Sequence, residues 1–416
     1  MAWNTDGQMH WDPKWVMEPD VGRIKEAVQP FWGHCGFPNA DITVEYLTEG
    51  SWNKAYTVSS IDEQTGARHE CIFRVALPVV PWYKVQSEVA TMEYVRINTT
   101  IPVPRVYAFD SSMNNAVGLE WILMEKIQGE SYGDAADYMS TGAKLEVKRK
   151  IAEWMDQLSK LTFDGIGSLY CQWDRTSPDF GQFKLGPIVY QTFMPAKRAQ
   201  YEVFHGPYGS LAECYHALLE VQLAEANDPE TKFKVEDEPH LESPTVWSSE
   251  SLDDVHRLGC GLHKAISHII GQKSLGPNST YLRHWDISES NVMVGSCDQA
   301  AALIDWEQII TVPLDFNSGL PGILDGREYS NLPPWPAGHF KTEDRLEVEE
   351  MYENTPYKRA FVRRLRELKS PILDTLGGDS EEMDLRAVIE DLPGHSYERY
   401  ELDILPMIKK KYEWKI

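Results

Sequence analysis

From Ile42 onward the chain alternates apolar and polar positions with a period of two. I-T-V-E-Y-L-T, K-A-Y-T-V-S-S and C-I-F-R-V-A-L read as three strands, rich in β-branched and aromatic residues. E-G-S-W-N (Glu49–Asn53) joins the first two, and the polar stretch Ile61–His69 joins the second and third. After Pro78 and Pro81 the spacing predicts a helix over Val85–Ile97. I-P-V-P-R-V-Y-A-F-D and L-E-W-I-L-M-E-K-I-Q-G then supply two further strands. Five strands and one helix thus complete a small antiparallel unit that ends near Gln128. Residues 1–40 precede it, broken by Pro13, Pro19, Pro30 and Pro38. They predict a short helix over Val21–Val28 within an extension draped on the body, with Trp3, Trp11, Trp15 and Trp32 as packing anchors.

Beyond Gly129 the period changes to that of helices. Val147, Ile151, Trp154, Met155, Leu158 and Leu161 form one apolar stripe. Leu252, Val255, Leu258, Leu262, Ile266 and Ile269 form a second. His256, His263 and His268 lie on or near that helix without the spacing of a metal site, so they read as solvent-facing or capping residues. Asn227–Ser249 is rich in Asp, Glu, Pro and Ser, and predicts an exposed connection or a lid. The tail from Lys341 reads as helical and highly charged, with a basic end, I-K-K-K-Y-E-W-K-I.

Between the second stripe and the tail runs Y-L-R-H-W-D-I-S-E-S-N-V-M-V-G-S-C-D-Q-A-A-A-L-I-D-W-E-Q, Tyr281 to Gln308. Two short strand-like runs, Asn291–Val294 and Ala300–Ile304, flank a turn at Gly295. The hairpin places Asp286 and Asn291 on the loop entering one strand and Asp305 at the exit of the next. Phosphoryl transfer from a nucleotide needs such a group: one carboxylate to take the proton of the attacking hydroxyl, and an amide oxygen with a second carboxylate to hold a metal on the phosphates. In the third strand Arg74 interrupts an apolar run, F-R-V, and a charge buried there must find a partner. Glu88, near the start of the next helix, is suited to meet it.

The spacing H-x-D-x-x-x-x-N followed by D-W-E resembles the catalytic and metal-binding loops of the protein-kinase-like superfamily. D-W-E in place of D-F-G looks like its aminoglycoside phosphotransferase and choline kinase branch. The runs S-E-V-A-T-M-E-Y-V-R, I-P-V-P-R-V-Y, I-L-M-E-K and F-D-G-I-G-S-L-Y are similar to fungal members of the phosphotransferase enzyme family, and the resemblance covers roughly Ile42 to Ile323. It implies an α+β, bilobal protein-kinase-like fold: an N-terminal extension (1–40), a nucleotide-binding lobe with a small antiparallel sheet and one helix (41–128), and a larger, mainly helical lobe (129–416). It further implies Asp286 as the base, Asn291 and Asp305 as magnesium ligands, and His284 as a structural residue orienting the loop.

By the same resemblance Arg74 and Glu88 take the places of the basic residue and glutamate that hold the nucleotide phosphates. Arg74 departs from the lysine frequent there; Lys84 is a fallback, though a surface role suits it better. Gly50, Ser51 and Asn53 let the backbone approach the phosphates, and Met124, Glu125 and Lys126 fall at the hinge that meets the base of ATP or GTP. Glu307 and Asp315 are candidates to line the acceptor pocket. The activity implied is phosphotransfer to a hydroxyl of a small molecule. A protein kinase is disfavoured, because H-R-D is replaced by H-W-D, D-F-G by D-W-E, and no A-P-E follows. Arg74 and the sparse glycine loop keep a non-catalytic nucleotide-binding protein open, and transfer of a different group, such as AMP, is a third alternative.

Composition narrows the partners. With 64 acidic against 40 basic residues the 416-residue chain carries a net charge of −24, which disfavours nucleic acid and anionic membranes. The 42% hydrophobic and 11% aromatic content supports real cores. The six cysteines are scattered without a C-x-x-C, as expected of reduced thiols. No run is long and apolar enough to span a bilayer and no secretory signal opens the chain, so a cytoplasmic residence is expected, with no obligate protein partner evident.

Overall fold

The computed structural model describes residues 2–5, 11–38, 41–173, 180–194, 197–228, 249–271, 274–316, 319–324 and 356–376, with Leu385, Arg386 and Ile389. The opening residues are more ordered than a draped extension: β1 (Ala2–Thr5) and β2 (Trp11–Lys14) pair as an antiparallel hairpin. Next comes α1 (Val21–Val28), as the periodicity predicts. The side chain of Asp20 caps it by accepting from the Arg23 amide at 2.9 Å.

The next elements are β3 (Thr43–Glu49), β4 (Asn53–Ile61), β5 (Arg68–Ala76), α2 (Tyr83–Asn98), β6 (Val106–Asp110) and β7 (Glu120–Glu125). The strands form one antiparallel sheet in the order β3-β4-β5-β7-β6, with the helix inserted after the third strand. Side-chain alternation splits the sheet into two faces. Phe73, Val75, Trp121 and Leu123 pack with Ile24, Val28 and Trp32, so α1 covers one face. Ile122 and Met124 pack with Val85 and Val89 of α2 on the other. Arg74, between Phe73 and Val75, points to the α2 side.

The chain then crosses into β8 (Glu130–Ser131), α3 (Tyr132–Ala135), α4 (Thr141–Leu158), β9 (Thr162–Phe163), β10 (Ser168–Trp173), β11 (Phe180–Gly186), α5 (Leu211–Asn227), α6 (Ser249–Ile269), β12 (Thr280–Arg283), β13 (Val292–Val294), β14 (Ala300–Leu303), β15 (Ile310–Val312) and α7 (356–368). The fold is α+β. The second part holds more strand than the helical periodicity suggests, with three small sheets: β10-β11, β15-β12-β9 and β14-β13-β8. Their strands are two to seven residues long, too short to show against neighbouring turn residues.

The first apolar stripe lies on α4, where Val147, Ile151, Trp154, Met155 and Leu158 are buried; Leu161 falls beyond the C-cap, Ser159. On the second, Leu258, Leu262 and Ile266 pack against Leu218 and Val221 of α5. The side chains of Leu252, Val255 and His256 lie outside the described residues, as do residues 229–248 of the expected lid and the basic end of the tail. His263 is half-buried and pairs across the helices: its Nδ1 meets Nδ1 of His216 at 2.9 Å, with the rings stacked. No helix of the described residues is long and apolar enough to cross a membrane. The six cysteines are free thiols.

One glycine fixes the passage between the two parts. Gly129 has φ of 128°, and a Cβ there would sit 2.1 Å from the carbonyl oxygen of Val294. Gly129→Ala should therefore cost about 3 kcal/mol or more, measured by urea unfolding. A second expectation concerns Lys148 on α4. Its Nζ donates to the Ile323 carbonyl at 3.0 Å and lies 3.8 Å from the Tyr132 ring centre. Burial lowers its pKa from 10.5 to about 7. The unfolded chain then binds the extra proton between those values, so stability due to this group rises with pH above about 7. Stability measured at pH 7 and pH 9 should rise by about 2 kcal/mol more in the parent than in Lys148→Met.

Candidate active site

Between the five-stranded sheet and the second part lies a cleft of about 1080 Å³. Every residue assigned above to nucleotide, metal or proton transfer lines it: Gly50, Ser51, Asn53, Arg74, Glu88, Met124, Glu125, Lys126, Asp286, Asn291 and Asp305. They arrive from five separate stretches of chain, and the fold alone brings them together.

The hairpin forms as the spacing predicts. β13 pairs antiparallel with β14, with Val292 opposite Leu303, and the Ile304 amide donates to the Asn291 carbonyl at 3.0 Å. Asn291 therefore sits beside the strand exit that carries Asp305. Its Nδ2 donates to Asp286 Oδ2 at 2.7 Å and to the Asp286 carbonyl at 3.1 Å. One amide thus fixes both the backbone and the carboxylate of Asp286. Asp305 adopts a left-handed backbone, φ 61°, rare for a residue with a side chain. Such strain is retained where the surroundings over-determine it.

His284 is buried 20 residues before Ile304, to whose carbonyl its Nε2 donates at 3.2 Å. Its ring stands edge-on to Trp306, 4.9 Å between centroids. Burial lowers its pKa to about 4, so the ring is neutral near pH 7 and acts as a wedge between loop and strand.

Arg74 joins the two sides of the cleft. Its guanidinium pairs with Glu88 of α2, and Nη1 lies 3.2 Å from Asp305 Oδ1. Burial and then the neighbouring Glu307 charge push the Asp305 pKa up to about 6, against the pull of Arg74 and Lys84.

Lys84 departs from its expected surface role. Its side chain is 1% exposed; Nζ lies 2.6 Å from Glu307 Oε2 and donates to Asn53 Oδ1 at 2.9 Å. The approach of residue 307, remote in sequence, buries it. Glu307 is correspondingly held from behind: Asn53 Nδ2 also donates to its Oε2, at 2.9 Å. Burial alone would raise the Glu307 pKa, but Lys84, Arg74 and these hydrogen bonds hold it below the ordinary range. It lines the cleft beside Asp305. The side chain of Asp315 lies outside the described residues.

At the Glu49–Asn53 turn, the Gly50 amide donates to the Asn53 carbonyl at 2.9 Å. A Cβ on Gly50 would meet nothing within 4 Å, so the glycine leaves open space toward the cleft and relieves no strain. At the hinge, Met124 is buried in β7; the Glu125 amide and carboxylate engage Arg105, at 2.8 and 3.1 Å, and Lys126 Nζ pairs with Glu70 at 3.1 Å. Asp134, Tyr190, Gln191, Trp285 and Arg386 also line the cleft. Trp285 was visible inside H-W-D; the others carry no local signal, because they reach the cleft only through tertiary packing.

Among the described residues no group of three or more His, Cys, Asp or Glu is set to hold a metal. The donors present still suit magnesium. Asn291 commits its NH2 to Asp286 and keeps Oδ1, and Asp305 keeps the oxygen that Arg74 does not contact. Two hard oxygen ligands match an ion that takes its remaining ligands from water and phosphates.

No family model matches the chain. A subtelomeric hrmA-associated cluster protein of Aspergillus fumigatus is 31% identical over 167 residues, 39% of this chain and 32% of that one. Altered inheritance of mitochondria protein 9 of Clavispora lusitaniae is 24% identical over 357 residues, 76% of this chain and 56% of its own. The chain thus spans about one third to just over half of the length of these curated relatives. The second relative is named mitochondrial, which does not fit the cytoplasmic residence expected from the lack of a secretory signal and of a membrane-spanning run. Among solved structures, a thermostable mutant of the aminoglycoside phosphotransferase APH(4)-Ia, in complex with AMP-PNP and hygromycin B, is 14% identical, with a TM-score of 0.41 over 91% of this chain and 93% of that one.

The Arg74 junction makes a direct expectation. Glu88→Ala leaves a largely buried guanidinium with Asp305 alone and should cost about 3 kcal/mol in chemical unfolding. Replacing both charges, Arg74→Met with Glu88→Leu, should recover most of that loss.

Proposed function

We propose that the protein transfers the γ-phosphoryl group of ATP or GTP to a hydroxyl of a small molecule. The observation that carries this reading is the hairpin itself, which sets Asp286, Asn291 and Asp305 on one wall of a cleft whose opposite wall holds Arg74. In this reading residues 41–128 bind the nucleotide, the edge at Met124–Lys126 receives its base, and the Gly50–Asn53 turn covers its phosphates.

Asp286 takes the proton of the acceptor hydroxyl as its oxygen attacks phosphorus, while the bond from γ-phosphorus to the bridging oxygen of the leaving nucleoside diphosphate breaks. The Asn291 amide, donating to Asp286 Oδ2, holds the carboxylate in one orientation. Magnesium, bound through Asn291 Oδ1 and Asp305, would neutralise charge on the phosphates. Arg74, anchored by Glu88, adds a fixed positive charge on the other side. Rate enhancement then comes from positioning and preorganised charge, with no covalent enzyme intermediate.

The pairing of Arg74 with Asp305 favours a second reading, in which a nucleotide binds without turnover. Stabilisation by magnesium–ATP together with no ADP release across hydroxylated acceptors would select it. Under the transfer reading, Asp286→Asn should lower ADP release by about 10²–10⁴-fold while nucleotide affinity stays within a small factor of the parent's. Parent-level release from that variant would remove Asp286 from its role.

A further inference from the structure

Three side chains far apart in sequence close a triangle behind the cleft wall. Lys84 Nζ meets Glu307 Oε2 at 2.6 Å and Asn53 Oδ1 at 2.9 Å, and Asn53 Nδ2 meets the same Glu307 oxygen at 2.9 Å. Asn53 and Glu307 line the cleft, whereas Lys84 is not among the lining residues. Lys84 therefore lies behind the surface that a nucleotide would touch.

The placement of the corners gives the triangle its meaning. Asn53 is the first residue of β4 and closes the Gly50 turn through its carbonyl. Glu307 stands two residues beyond Asp305. Lys84 lies one helical turn before Glu88, on the same face of α2. The helix thus grips the D-W-E segment along two lines: Glu88 through Arg74 to Asp305, and Lys84 directly to Glu307. The second line also captures the turn that roofs the cleft. Stability alone does not account for it, because a buried ion pair is often no better than well-packed apolar side chains of the same volume.

We propose that Lys84 is a positioning residue that registers the Gly50–Asn53 turn over Asp305, so that the turn amides and Asp305 meet the same nucleotide phosphates. The part concerning phosphates rests on the phosphotransfer reading above. The tether is made by protein groups alone, which allows the two to be tested apart.

The test compares the parent, Lys84→Met and Lys84→Arg as full chains. Hydrogen exchange of the Gly50–Asn53 amides is measured without nucleotide, and affinity for a fluorescent ATP analogue is measured with and without magnesium. Lys84→Met should exchange these amides at least roughly tenfold faster and bind the analogue with magnesium roughly tenfold more weakly, and Lys84→Arg should restore most of both. Since Lys84 does not reach the cleft, neither change can arise from a lost nucleotide contact. Exchange unchanged in Lys84→Met, or affinity unchanged where the parent binds, overturns the proposal. If Lys84→Met does not fold, Asn53→Ala keeps the Lys84–Glu307 pair and opens only the tether to the turn; unchanged amide exchange there also overturns it. A parent that binds no nucleotide, with exchange altered as expected, removes the phosphotransfer reading and leaves the tether standing.

Discussion

The arrangement depends on a cation that cannot be left alone. Arg74 sits in the middle of a strand whose flanking residues are core, and its side chain is only 11% exposed. Isolating that charge would cost several kcal/mol, and the fold supplies two carboxylates to meet it. Glu88 comes from the helix that covers the sheet, and Asp305 from the strand exit across the cleft. Satisfying one guanidinium therefore sets the helix against the sheet and the sheet against the hairpin. Apolar packing tolerates small slides; a charge shared among three elements does not.

Electrostatic crowding is the other side of this constraint. Asp286, Asp305 and Glu307 are close enough that their charges interact, and the burial of Glu307 weakens the screening between it and Asp305. Asp305 responds with a raised pKa, while Glu307 is kept ionised by the lysine and amide behind it. Neighbouring carboxylates thus differ in proton affinity because their partners differ.

Much of this was legible in the chain. The hairpin was readable because a period of two on either side of a glycine turn leaves one register in which Asn291 and Asp305 become neighbours. The Arg74–Glu88 pair was readable because a charge inside F-R-V has few solutions. Lys84 was not: Trp82, Tyr83 and Val85 flank it, but nothing near it in W-Y-K-V-Q-S offers a charge partner, and Glu307 lies more than two hundred residues away. His263 was missed for the same reason, its companion His216 sitting on another helix. Apart from the β13–β14 hairpin, the small sheets of the second part escaped: β8, β9, β12 and β15 are two to four residues long, too short to show a period.

The strand Glu130–Ser131 carries a mechanical implication. It begins a few residues beyond β7 and pairs with Met293 and Val294 of the hairpin that carries Asn291 and Asp305. The edge at residues 124–126 is thus joined, through the short connection ending at Gly129, to a strand that is hydrogen-bonded to the hairpin of Asn291 and Asp305. A shift of that edge would therefore reach the hairpin at Val294, whose carbonyl packs into the space left by the missing Cβ of Gly129.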